Sequence, residues 1–298
     1  MKDHLRITRQ STIHGTTHQL PSSKSISNRA LVCNALGGNQ STLLNLSAAR
    51  DTRLMQALIH SPEKVIDVMD AGTTMRFLTA YFSVTRQQKI LTGTPRMKER
   101  PVSLLVDALR TLGVQMDYQE KEGFPPIAIR GFDSQKTASL EIAGNVSSQY
   151  ISALMMVAPT LPQGLELRLT GIVASVPYIQ MTVELMKTFG ISVEFQGNRI
   201  RIDAQDYRPA TLTIEADWSA ASYWYGFTAL ADEASIQLPH VTQKSWQGDV
   251  AIVEIMKMLG VDTRFEKNGA HLTKQSHHSH LDWDFTHCPD LALSLIHI

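Results

Sequence analysis

Cysteine is almost absent from this 298-residue chain: Cys33 and Cys288 are the only two. So few thiols exclude a disulfide-stapled scaffold and point to a reducing, cytoplasmic setting. Net charge is missing as well, with 28 Lys and Arg against 28 Asp and Glu. A protein that coats DNA or RNA needs excess positive charge, so nucleic acid is not the expected partner. An anionic ligand must instead be met by a local cluster of cations. Long hydrophobic runs are lacking too. The opening MKDHLRITRQS has no apolar stretch of the signal-peptide kind, and nothing approaches the roughly 18 apolar residues of a membrane span. The expectation is a soluble protein without a membrane partner. What the chain does have is 43% hydrophobic and 19% charged residues, enough to bury real cores. At roughly 150 residues per domain, two domains are expected.

A repeated pattern runs along the sequence. Residues 106–131, 183–204 and 253–274 each read as an apolar helix, a Leu-Gly or Phe-Gly pair, a strand, a turn and a second strand. Gly113, Gly190 and Gly260 stand where a left-handed residue closes a helix without a Cβ clash. Tight turns are predicted at Glu122-Gly123, Gly197-Asn198 and Asn268-Gly269. A further helix is expected before each hairpin, over 75–82, 148–157 and 220–230. The unit is therefore strand–helix–strand–helix–strand–strand, an α/β block far longer than a solenoid repeat. Domain crossings are expected near 19–22 and 212–216.

Four stretches open predicted helices, three rich in small and hydroxyl residues and one, RMKERP, rich in cations. They are LPSSKSISNR (20–29), DAGTTMR (70–76), RMKERP (96–101) and GNVSSQ (144–149). Helix N-terminal amides, joined by Lys24, Arg29, Arg76 or Arg100, form anion sites by electrostatics alone. The Walker spacing is absent, so this is not a P-loop. Serine caps on surface helices and a solvated charge run before the helix at 102–112 are the plain alternatives. Four such starts in one neutral protein favour an anionic, phosphorylated small molecule.

LPSSKSISNRAL, DAGTTMRF, LTGTPRMKERPVSLLVDALR, GNVSSQYISALMM, VPYIQMTVELMKTFG and HCPDLA together resemble the 5-enolpyruvylshikimate-3-phosphate (EPSP) synthase family, the 3-phosphoshikimate 1-carboxyvinyltransferases. The matches run in family order from about residue 20 to Ala292. The resemblance implies transfer of the enolpyruvyl group of phosphoenolpyruvate to the 5-hydroxyl of shikimate 3-phosphate, with release of phosphate. That step serves chorismate and aromatic amino-acid biosynthesis. It implies no metal, no organic cofactor and a monomer. It also implies a two-domain α/β fold of repeated βαβαββ units: a first domain of three units over 22–213, and a second from 1–21 plus 214–292 that is incomplete. By the same resemblance, Lys24, Ser25, Arg29, Ser147, Ser148, Gln149, Ser175, Tyr178 and Asp290 fall where the family binds shikimate 3-phosphate. Lys24, Gly72, Arg100 and Gln149 fall at phosphoenolpyruvate contacts. Asp290 matches the proton acceptor at the 5-hydroxyl, and Lys24 shares the catalytic role.

Two residues depart from the family pattern: Asp70 stands where Asn is usual, and Phe77 where Pro is common. The final LSLIHI (293–298) has a legal back-translation, CTGTCTCTTATACACATC, that is a transposase adaptor used in sequencing libraries. Residues 293–298 are therefore expected to be adaptor-derived, and the chain an incomplete copy, inactive by itself. UDP-N-acetylglucosamine enolpyruvyl transferase shares the fold and the donor, but SKSISNR and PRMKERP, with no cysteine near the latter, argue against it. A non-catalytic phosphate-binding remnant is the other rival. His277, His278, His280 and His287 with Cys288 lack a strong zinc spacing, so no metal site is expected.

Overall fold

In the computed structural model, residues 10–277 and 280–295 are described. They divide into two compact units: Ser22–Ile214 forms one, and the residues up to Pro21 and from Glu215 onward form the other. In chain order the elements begin with β1 (Thr12–Thr16), α1 (Lys24–Leu36), β2 (Thr42–Leu44), α2 (Arg50–Leu58), β3 (Val65–Asp67), α3 (Gly72–Val84) and β4 (Ile90–Thr92). There follow α4 (Pro95–Lys98), α5 (Ser103–Leu112), β5 (Val114–Tyr118), β6 (Ile127–Phe132), β7 (Ser139–Ala143), α6 (Ser148–Val157), β8 (Leu165–Thr170) and α7 (Val176–Thr188). The remainder are β9 (Glu194–Gln196), β10 (Arg199–Ile202), β11 (Thr211–Thr213), α8 (Trp218–Leu230), β12 (Glu233–Pro239), α9 (Ile252–Met258), β13 (Val261–Glu266), β14 (Gly269–Lys274) and α10 (Pro289–Leu295). Of the expected tail, 296–298 lie outside the described residues.

The repeat in the sequence is a repeat of topology. Three four-stranded sheets share one order, β3-β4-β6-β5, β7-β8-β10-β9 and β1-β12-β14-β13. In each, the first two strands pair parallel and the others antiparallel. The parallel pair needs a crossover helix, and α3, α6 and α8 occupy that place in their units. Gly113, Gly190 and Gly260 have φ of 114°, 79° and 88°. At Gly113 a Cβ would meet the Ser134 carbonyl oxygen at 2.4 Å, so conformation and space both require glycine there.

Differences from the sequence reading lie in the hairpins and in one sheet. β13 and β14 turn through Lys267-Asn268, and Gly269 is already paired with Glu266. Gly123 lies in a longer connection that ends in a cis Pro125-Pro126 bond. Ser22–Ile214 holds two complete βαβαββ units rather than three. Its remaining sheet is β2 beside β11, two parallel strands served by α1 and α2. The chain passes from α2 straight into β3, so no hairpin follows to complete that unit.

In Ser22–Ile214 the helices α1, α3, α6 and α7 pack on one another. This explains why α3 and α6 are buried on nearly every face, including Thr73, Thr74, Thr79, Ser83 and Ser152. Thr79 and Ser83 satisfy their hydroxyls on carbonyls four residues back. Cys33 is buried in α1, as a small core residue should be, and its thiol hydrogen-bonds Tyr207. In the other unit, α8 and α9 cover the β1-β12-β14-β13 sheet, and α10 packs against α8. Trp218, Tyr225, Ile236, Ile255, Met256 and Leu272 form the centre of that core.

Candidate anion-binding site

Every crossover helix of a βαβ unit starts at the carboxyl end of a strand, where its first-turn amides point outward without helical acceptors. At α3 the N-cap is Ala71, which has no side chain to satisfy them. Its first helical residue, Gly72, has the Arg100 guanidinium laid directly on it. A Cβ at Gly72 would fall 2.5 Å from Arg100 Nη1. Arg100 Nη1 also donates to the Asp70 carbonyl at 3.5 Å. Burial first, then the neighbouring Arg76 charge, hold the Arg100 pKa below its ordinary value. A cation set against burial and a like charge gains most from an incoming anion.

Around this point the structure gathers the residues of three other helix starts. Gln149, in the first turn of α6, accepts from Arg76 Nη1 at 3.0 Å. Lys24, the first residue of α1, lies 3.8 Å from Asp51. Asp51 opens α2, and its carbonyl accepts from Thr74 of α3 at 3.1 Å. Lys24, Gly72, Arg100 and Gln149 are thus linked around the start of α3 by an ion pair and hydrogen bonds through Asp51, Asp70 and Arg76. Asp70, the departure from Asn, is ion-paired with Arg50, so its extra charge is offset locally.

A second group surrounds the starts of α6 and α7. The Ala174 amide donates to the Gly144 carbonyl at 3.0 Å and ties the two loops together. Ser147 caps α6 by accepting from the Gln149 amide, and Ser148 is buried behind it. Ser175 holds the N-cap of α7 in a left-handed conformation, φ 55°, without a side-chain cap bond. Tyr178 follows in the first turn. Ser25 lies one residue into α1, and its carbonyl accepts from Arg29 Nη1 at 2.9 Å.

Arg29 itself is buried. It is 2% exposed, donating from Nε to Thr182 at 2.8 Å and from Nη2 to Ser152 at 3.0 Å. The Phe77 and Tyr178 rings lie 5.4 and 5.9 Å from its Cζ. Burial lowers its pKa to about 10. The physical reason is the packing of α1 among α3, α6 and α7, which turns a residue one helical turn past Ser25 inward. Phe77, the second departure, is buried where it flanks this guanidinium.

Asp290 is carried by the other unit, in the first turn of α10, and is exposed. Asp249 of the same unit is 4% exposed and hydrogen-bonded by the Ser219 hydroxyl. Burial pushes the Asp249 carboxyl up to about 6, against the Ser219 hydrogen bond and with help from Asp290 and Asp217. Its folded pKa lies above the unfolded value near 3.8, so its contribution to stability is complete below about pH 4 and is lost as pH rises through 6. Asp249→Asn should flatten that slope and raise stability at pH 7 by on the order of 2 kcal/mol. Urea denaturation between pH 4 and 8 measures both.

Sequence reasoning missed Arg50 and Asp51, which carry no local motif, and Tyr150, which lies within GNVSSQYISALMM but was given no role. Arg76 was visible as a cation one turn into α3, but not its burial. Among the described residues, no group of three or more His, Cys, Asp or Glu could hold a metal ion; His278 lies outside them. No described helix is long and apolar enough to cross a membrane.

Repeated βαβαββ units, with Lys24, Arg76 and Arg100 near helix starts, define an α/β protein of repeated units. The family described as EPSP synthase (3-phosphoshikimate 1-carboxyvinyltransferase) matches residues 56–297. The 3-phosphoshikimate 1-carboxyvinyltransferase of Bacteroides fragilis (strain YCH46) is 47% identical over 283 residues, 94% of this chain and 68% of that protein. That of Salmonella heidelberg (strain SL476) is 33% identical over 305 residues, 93% of this chain and 70% of that protein. The 2.37 Å structure of EPSP synthase from Acinetobacter baumannii superposes with a TM-score of 0.74 at 17% identity, covering 95% of this chain and 69% of that one. The chain belongs to the EPSP synthase family, transferases of the enolpyruvyl group.

Proposed function

We propose that the two groups of residues in Ser22–Ile214 divide two anionic substrates between them. Phosphoenolpyruvate takes the start of α3, with Lys24, Gly72, Arg100 and Gln149. Shikimate 3-phosphate takes the starts of α1, α6 and α7, with Ser25, Ser147, Ser148, Gln149, Ser175 and Tyr178. The observation that carries this reading is the Arg100 guanidinium seated on Gly72 at an uncapped helix start, with Lys24 and Gln149 tied to the same helix through Asp51 and Arg76.

The chemistry follows from those roles. The 5-hydroxyl is a poor nucleophile until a carboxylate takes its proton as the C–O bond forms, and Asp290 has that role by resemblance. Protonation of the phosphoenolpyruvate methylene makes C2 the electrophile. Lys24 offsets charge on the donor, and Arg100 with the α3 amides holds its anionic groups. Departure of phosphate and loss of a methyl proton then restore the enol ether. The protein is proposed to act as a cytoplasmic monomer on these small molecules, without metal or organic cofactor.

Calorimetry on the chain should show binding of shikimate 3-phosphate and none of UDP-N-acetylglucosamine. Phosphate release from phosphoenolpyruvate, with shikimate 3-phosphate as acceptor, tests the transfer itself. Preference for the nucleotide sugar would overturn the acceptor assignment. Weak binding of shikimate 3-phosphate together with no phosphate release would favour the non-catalytic reading.

A further inference from the structure

Two of the residues assigned to phosphoenolpyruvate, Gly72 and Gln149, meet on a side chain outside the proposed substrate contacts. Arg76 is 7% exposed, and its Nη1 donates both to the Gly72 carbonyl at 2.9 Å and to Gln149 Oε1 at 3.0 Å. Its Nη2 donates to the Tyr150 hydroxyl at 3.4 Å, and the Tyr150 ring lies 4.9 Å from Cζ. That hydroxyl donates in turn to the Pro101 carbonyl at 2.6 Å, beside Arg100. Arg76 Nε is buried with no hydrogen-bond partner. A buried guanidinium with an unsatisfied donor is an expensive way merely to pack two helices, where apolar side chains would serve.

A guanidinium has donors only, so the Gln149 atom held against it must be the amide oxygen. Turning the amide over would press its NH2 on Arg76 and present a carbonyl oxygen to the incoming anion. Both changes are unfavourable. We propose that Arg76 is a positioning residue: by holding Gln149 Oε1 it commits Gln149 Nε2 to donate to bound phosphoenolpyruvate. This rests on the assignment of Gln149 to phosphoenolpyruvate made above. Arg76 also holds the Gly72 carbonyl, and Arg100 occupies the space a Cβ of Gly72 would fill, so one side chain sets two parts of the site.

The test is a double-mutant cycle read as phosphoenolpyruvate affinity at saturating shikimate 3-phosphate. Arg76→Lys keeps the charge but not the two-nitrogen fork. It should weaken binding roughly fivefold or more when Gln149 is present, and change it little in a Gln149→Ala background. Equal losses in both backgrounds would overturn the inference and leave the site assignment standing. No loss from Gln149→Ala alone would overturn the site assignment, and the inference with it. Gln149→Glu supplies a second variant that leaves Arg76 untouched. It keeps an acceptor for the guanidinium and removes the donor, so Tm should hold or rise while affinity falls at least tenfold. A lowered Tm would show that Arg76 does not grip this side chain and would equally overturn the proposal.

Discussion

Gly72→Ala is expected to leave the protein folded and to weaken phosphoenolpyruvate binding by roughly ten- to a hundredfold. The added methyl would fall 2.5 Å from Arg100 Nη1 and 2.7 Å from its Cζ and Nη2. These atoms are the end of a flexible side chain, so the clash is relieved by moving the guanidinium rather than the backbone. Alanine is also the better helix former at a position already helical. The loss should therefore appear in the ligand and not in Tm. A hydrogen bond to a charged group contributes about 1.5–3 kcal/mol, which sets the range. Arg100→Ala should reproduce the effect, and the double variant should be no worse than Arg100→Ala alone, because both changes remove the same contact. Calorimetry with phosphoenolpyruvate at saturating shikimate 3-phosphate measures all three. Additive losses would mean that Gly72 contributes something other than room for Arg100.

Arg29→Met has the opposite signature, a large loss of stability. The substitution keeps an apolar stem but removes the donors to Thr182, Ser152 and the Ser25 carbonyl. Those acceptors lie in a core between helices where water cannot replace the guanidinium, and each unsatisfied group costs about 1–3 kcal/mol. Thr182 and Ser152 retain their mutual 2.9 Å contact, which limits the damage. A net loss of at least ~3 kcal/mol in chemical denaturation is expected. Arg29→Lys should recover little of it, since a single ammonium cannot reach three partners at once. Denaturation like that of the unmodified protein, with shikimate 3-phosphate binding alone abolished, would return Arg29 to the ligand surface where the family resemblance put it.

The repeat was legible in the sequence because each copy ends a helix on glycine before an alternating strand, and backbone conformation is written locally. The helix starts at Ser23 and Ser147 were legible for the same reason. The hairpin at 267–268 was misread by one residue, since Gly269 serves a strand pairing rather than the turn. The burial of Arg29 was not legible, because a motif records which residues are near in sequence, not which face of a four-helix cluster each will occupy. Arg50 with Asp70, Asp51 with Thr74 and Arg76 with Gln149 were invisible in advance. Each pair joins two helix starts that meet only when separate units stack, and neither partner's neighbours announce the other. The legible part of the site was its list of anchors; the hidden part was what holds them.

β1 enters its sheet beside β12, so Thr12 is paired with Glu233 although Ser22–Ile214 comes between them. During synthesis β1 emerges first and must wait for its partner. All strand pairings within Ser22–Ile214 are internal, so that unit can fold while β1 is idle. Its flanks then meet, with the Asp217 amide donating to the Pro21 carbonyl at 2.8 Å. A compact insert whose ends already touch leaves far less loop entropy to lose than a flexible connection of the same length. Refolding should therefore proceed in order, with the Ser22–Ile214 sheets first and the β1–β12 pairing last.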